Sequence, residues 1–210
     1  MKRIAVLFLL MFPATSWSID ENQTGAWYSF IYSKSFLDSR WGLKGDWQYR
    51  KWDLDGDLQT FLIRNAVTYT INDNWTAAAG YAHLTRGEFG ASDRKNTEHR
   101  TYQEIVYRHQ AGDLSVSHRL RTEQRWIQNR SRTERYRYNL SIQYPLTDRW
   151  YLSGYNEYFV NAGGKFDQNR TKAALGYRVN AQNRIHAGYM YQVDNDFEKG
   201  QVMLSWYLDF

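Results

Sequence analysis

The stretch from Leu114 to Trp126 reads LSVSHRLRTEQRW, and its alternation decides the fold class. Leu114, Val116, His118, Leu120, Thr122, Gln124 and Trp126 take one set of alternate positions. Ser115, Ser117, Arg119, Arg121, Glu123 and Arg125 take the other. Successive side chains of a β-strand point to opposite faces, so this segment carries one largely apolar face and one charged face. The rhythm repeats outward from it. Tyr136, Tyr138, Leu140, Ile142 and Tyr144 alternate with Arg135, Arg137, Asn139, Ser141 and Gln143. Val202, Leu204, Trp206, Leu208 and Phe210 alternate with Gln201, Met203, Ser205, Tyr207 and Asp209. Amphipathic helical periodicity is hard to find in the chain.

Alternation alone would also suit a β-sandwich. Two features favour a membrane barrel. The segments run to about 9–13 residues, the length of a tilted transmembrane strand and well above the usual strand of about 5–6. Aromatics also stand beside the turns: Trp41, Trp75 and Trp150 each follow a short polar connection, as in the girdles of outer-membrane barrels. Pro145 lies in one such turn, where it interrupts no hydrogen-bond ladder. Strands are expected near 26–36, 41–52, 58–70, 75–84, 99–110, 114–127, 133–144, 150–160, 170–179, 184–193 and 201–210. Short turns (37–40, 71–74, 111–113, 145–149, 180–183) alternate with longer connections (53–57, 85–98, 128–132, 161–169, 194–200). These spans add up to an all-β, transmembrane antiparallel β-barrel of about 10–12 strands. Eleven is an odd count, whereas bacterial single-chain barrels are even. Either 26–36 is not a full barrel strand or one strand is hidden.

Composition agrees with this class. Aromatics are 17% of 210 residues, too many for a disordered chain. There is no Cys, so no disulfide scaffold. Only the N-terminus approaches the run of about 20 apolar residues that a helical span needs. There, Lys2 and Arg3 precede the apolar stretch from Ile4 to Phe12, and Ser16 and Ser18 form a small-x-small site. Residues 1–18 read as a secretory signal peptide, with 19–210 as the barrel. Removing Lys2 and Arg3 from the 27 basic residues leaves 25 against 22 acidic, a net +3. An exported chain has little claim on nucleic acid. Mean hydropathy is −0.74, which a barrel tolerates because only every second strand residue meets lipid. The chain ends at Phe210 on the apolar face, so Trp206, Leu208 and Phe210 are assigned as the signal read by the barrel-assembly machinery. The expected surroundings are outer-membrane lipid and lipopolysaccharide.

Arg or Lys facing lipid at the bilayer midplane costs about 2–4 kcal/mol, so the charged faces must line the interior. Arg64, Arg100, Arg119, Arg121, Glu123, Arg125, Arg135, Arg137, Glu157 and Arg170 are the candidate lumen residues, with Glu104, Arg108 and Lys172 beside them. Two readings stay open. Glu98, Glu104, Glu123, Glu134 or Glu157 could pair with Arg across strands and fill a narrow barrel. Alternatively, Arg in excess over Glu leaves some cations unpaired and makes a channel for small anionic solutes.

Enzymatic readings are weaker. Ser117 and His118 are adjacent, so they point to opposite faces. Asp53, Asp55 and Asp57 resemble a calcium loop, but Gly56 is out of place and Arg64 stands where a Glu is needed. No cofactor or metal motif is found. A lipid-modifying enzyme, a structural or adhesive barrel and a soluble periplasmic β-protein remain as alternatives to a channel.

Four strings go further: HRLRTEQRW at 118–126, YNEYFVN at 155–161, FDQNR at 166–170 and GYMYQ at 188–192. Together they resemble a bacterial outer-membrane family known only as domain-of-unknown-function family twenty-four-ninety. The resemblance is strongest from about 100 to 193. It implies a small barrel, and it implies no transported solute. In its general look the chain is also similar to small oligosaccharide porins with a basic lumen.

Overall fold

The computed structural model describes residues 24–36, 39–195 and 198–210. The expected signal peptide lies outside them. The described residues form eleven strands: β1 (Thr24–Ser35), β2 (Trp41–Lys51), β3 (Leu58–Thr70), β4 (Trp75–Glu88), β5 (Ala91–Ala111), β6 (Leu114–Ile127), β7 (Thr133–Pro145), β8 (Trp150–Asn161), β9 (Phe166–Arg178), β10 (Asn183–Asp194) and β11 (Glu198–Asp209). Consecutive strands pair antiparallel and the sheet closes on itself. The expected barrel is thus present, and each expected strand is found.

The odd count is resolved differently from either expectation. The sheet closes by pairing β1 with β11 in parallel, with Trp27 opposite Met203, Ser29 opposite Ser205 and Phe30 opposite Trp206. Strand β1 is a full barrel strand and no twelfth strand is needed. A parallel closing pair puts the start of β1 at the rim opposite Phe210. Equal parity on the two strands keeps both apolar faces outward. Phe30 lies 5.1 Å from Trp206 and 6.0 Å from Trp47, ring centre to ring centre. On the inner side Trp27, Met190 and Met203 pack together.

Two connections are shorter than expected. Residues 85–98 are not a long loop: β4 runs to Glu88, β5 starts at Ala91, and Phe89-Gly90 turns between them with Gly90 at φ +70°. Pairing of β5 with β6 begins only at Glu98. The arm 91–97 therefore overhangs the barrel wall, where neither face needs to be apolar and alternation disappears. Strand β9 likewise begins at Phe166, because Gly163 and Gly164 (φ +90° and +79°) complete a tight turn.

The rim that holds Phe210 uses one turn design three times. In 71–75, 146–150 and 179–183 the first N–H donates to the carbonyl of the fifth residue at 2.9 Å. The second side chain caps the turn. Asn72 Oδ1 accepts from the Asn74 and Trp75 amides, Thr147 Oγ1 from Arg149 and Trp150, and Asn180 Oδ1 from Gln182 and Asn183. Short side-chain acceptors stabilise turns in this way. Cross-strand pairs then build the girdle: Trp41 on Tyr69 (4.8 Å), Trp75 on Tyr107 (4.8 Å) and Trp150 on Tyr177 (4.6 Å). All three Trp are exposed.

The chain has no native Cys, so the parallel seam can be tested by one engineered bridge. Ser29→Cys with Ser205→Cys places the two thiols on directly opposed residues, within disulfide reach. Oxidation should give a reducible shift in gel mobility, whereas Ser29→Cys with Met203→Cys should give none. The reverse result would refute this register.

Candidate functional site

The inner surface is built by parity. On β5 to β8 the inward positions include Glu98, Arg100, Glu104, Arg121, Glu123, Arg125, Arg135, Arg137 and Glu157, all buried. The outward positions between them include Leu120, Trp126, Tyr136, Tyr138, Leu140 and Tyr158, all exposed. Register then puts like charges opposite one another: Arg100 faces Arg125, and Arg121 faces Arg137. Direct opposition of like charges is unfavourable unless a counter-charge is shared.

Carboxylates supply it. Glu98 accepts from Arg100 Nε and Arg125 Nε, each at 2.6 Å, and from Arg86 at 2.8 Å. Glu123 holds Arg135 at 2.6 Å and Arg137 at 2.5 Å, with Arg100 and Arg121 each at 3.7 Å. Glu104 pairs with Arg121 at 2.5 Å and with Lys44. Glu157 Oε1 takes Arg119 and Arg137, both at 2.7 Å. Asp46 receives Arg64 through two nitrogens, at 2.6 and 3.0 Å, and Asp167 receives Arg135 at 3.0 Å. Among the described residues, nine basic groups thus share six carboxylates. Nine of the ten candidate lumen residues join this network. Glu134 does not: it pairs with Arg132 at an exposed rim position.

The tenth, Arg170, differs. It stands opposite Glu157 in the β8–β9 register, but Glu157 Oε1 is already engaged on its other side. Arg170 Nε donates instead to Gln192 at 3.1 Å, and its guanidinium lies 5.0 Å from the Phe159 ring and 5.3 Å from the Trp27 ring. Arg50 sits 3.5 Å over the same Trp27 ring and donates to Gln48. Lys172 is buried near Tyr155. Among the described residues, none of these three cations has a carboxylate partner. Rings therefore stand beside these three where carboxylates stand beside the other inward cations, since an aromatic face attracts a cation. Phe159, fully buried, carries Arg135, Arg137 and Arg170 around it.

Arg50, Trp27 and Phe159 were absent from the sequence-derived set. The signal existed: Asp46, Gln48 and Arg50 share parity against Trp47 and Tyr49, and Phe159 shares parity with Glu157. The three cations and Trp27 line a cavity of about 660 Å³, bordered by Trp52, Gly87 and Asn195 at one end and reaching Tyr207 at the other. There Tyr207 lies 4.5 Å from the His186 ring, and His186 Nε2 is 2.6 Å from the Tyr151 hydroxyl.

Other candidates are not brought together. His118 faces outward, stacked on His109 and bonded to Tyr138 at 2.8 Å, while Ser117 faces the other way. Asp53, Asp55 and Asp57 lie in the β2–β3 connection, and no metal-holding cluster of His, Cys, Asp or Glu occurs among the described residues. At the C-terminus, Trp206 and Phe210 are exposed, and the Phe210 amide donates to the Ser33 carbonyl at 2.9 Å.

Removing one member of a buried ion pair strands the others, at a cost of about 3–5 kcal/mol. Glu123→Gln should therefore lower barrel stability by about that amount in urea unfolding of the detergent-folded protein. Glu134→Gln, at an exposed pair, should change it by less than about 1 kcal/mol. Equal effects would mean that the buried network does not hold the barrel.

Two solved structures are similar in fold. The NanC porin superposes with a TM-score of 0.53 at 13% identity, over 85% of this chain and 95% of that one. The KdgM porin gives 0.51 at 13% identity, over 86% and 95%. At such identity the likeness concerns the fold alone, a closed outer-membrane-type β-barrel. An uncharacterized protein of Methylorubrum extorquens is 30% identical over 149 residues, 64% of each chain. The family model described as "Protein of unknown function (DUF2490)" matches residues 24–203. That span takes in all but the last few residues of the barrel, and the chain belongs to the DUF2490 family.

Proposed function

We propose that this protein is an outer-membrane channel that prefers small anions. The observation that carries the reading is the imbalance of the inner wall. Nine basic groups share six carboxylates, and among the described residues Arg50, Arg170 and Lys172 form no ion pair with a carboxylate. A basic track in a low-dielectric bore concentrates anions and repels cations. The fold likeness to porins supports a channel over an enzyme, as does the separation of Ser117 from His118. Residues 1–18 would direct export and be removed in the course of it. Trp206, Leu208 and Phe210 would then be read by the barrel-assembly machinery, and the apolar belt would meet lipid and lipopolysaccharide.

A charge-plugged structural barrel is the second reading. It is favoured by the paired network and by the contacts among Tyr151, His186 and Tyr207 at the far end of the cavity. Conductance separates the two. Purified protein in planar bilayers under a KCl gradient should reverse at a potential of the sign set by chloride. Arg170→Glu should move that potential toward the potassium value. Cation preference in the native protein would contradict the proposal, and absence of conductance would favour the plugged barrel.

Deleting Phe210 should reduce the heat-modifiable, membrane-inserted form severalfold in cells. Unchanged assembly would remove the terminal aromatic from the insertion signal.

A further inference from the structure

We infer that Arg50, Trp27, Arg170 and Lys172 form a binding site for a compact oxyanion, a group with several negatively charged oxygens such as phosphate. The site deepens the anion-channel reading and rests on it: here the anion is held rather than merely passed.

The donors are unspent. Trp27 and Arg50 are 4% and 9% exposed, and both the Trp27 indole Nε1 and the Arg50 Nε lack a hydrogen-bond partner among the described residues. Buried N–H groups are normally satisfied, and those left open call for a missing acceptor. Lys172 is 5% exposed with no carboxylate beside it. Unneutralised cations at this depth are unfavourable without a counter-charge. All four residues line one cavity. Both guanidiniums lie within 5.3 Å of the Trp27 ring centre, which places them close enough to act on one small ligand.

Charge and shape indicate the class. Three cations ask for more than one negative charge. Guanidinium forks match planar or tetrahedral oxyanions through paired N–H donors. The indole N–H adds a donor that has no acceptor capacity of its own. Gln48 and Gln192 engage the two arginines from their flanks, which fixes their planes. The arginines of the network compete less, because each already shares a carboxylate that offsets its charge.

The test uses the full barrel folded in detergent, with inorganic phosphate as the probe at constant ionic strength in chloride. Calorimetry should show saturable binding. Arg50→Gln and Arg170→Gln should each weaken it about tenfold, the effect of losing one charge-assisted hydrogen bond. Lys165→Gln, in the β8–β9 turn, should leave it unchanged. Folding of each variant is checked by heat-modifiable mobility. Should an arginine variant fail to fold, Trp27→Phe keeps the ring, loses only the N–H, and should weaken binding severalfold. No saturable phosphate binding by the native barrel, or native affinity in the folded variants, overturns the site. Reversal potentials of the same preparation keep the two readings apart. Anion preference without phosphate binding rejects the site alone, and phosphate binding without conductance rejects the channel alone.

Discussion

Glu98, Glu104, Glu123 and Glu157 each stand between at least two basic groups, and the rest of the barrel depends on that sharing. Lipid forbids charge on the outer face, so every arginine of the alternating strands must turn inward. In a narrow bore this brings Arg100 against Arg125 and Arg121 against Arg137. The arrangement is tolerable only because one carboxylate can accept from several guanidiniums at once. Sequence parity thus fixes which residues face in, and the supply of carboxylates decides which inward cations are paired.

The supply runs out at Arg50, Arg170 and Lys172. There aromatic rings take over: Trp27 beneath Arg50, and Phe159 and Trp27 beside Arg170. A ring lowers the cost of a buried cation without cancelling its charge. The bore therefore has an ion-paired network that stiffens it and three unpaired cations left free to act on a solute. Several of the arginines most conspicuous in the sequence, such as Arg121 and Arg137, belong to the stiffening network.

Much of this was legible in the sequence. The period-2 rhythm of 114–126, 136–144 and 202–210 gave strands whose bounds differ little from the structure, and Trp41, Trp75 and Trp150 marked one girdle. What could not be read had physical causes. Parallel closure of β1 on β11 leaves no local trace, because it joins segments from the two ends of the chain. The alternation fades over 88–97, where the strands run past the start of the β5–β6 pairing at Glu98. Arg50 and Phe159 carried the correct parity. Their partners are set by which carboxylates remain available across the bore, a three-dimensional count that spacing along the chain does not contain.

The division of the inward cations into paired and unpaired ones can be observed directly by locating anions in the bore. A crystal of the folded barrel soaked in bromide and measured at the bromine absorption edge would mark each accessible positive site with an anomalous peak. The account predicts bromide beside Arg50, Arg170 and Lys172, and none among Arg100, Arg121, Arg125 and Glu123. Peaks confined to that network, or a bore with no bromide at all, would contradict it.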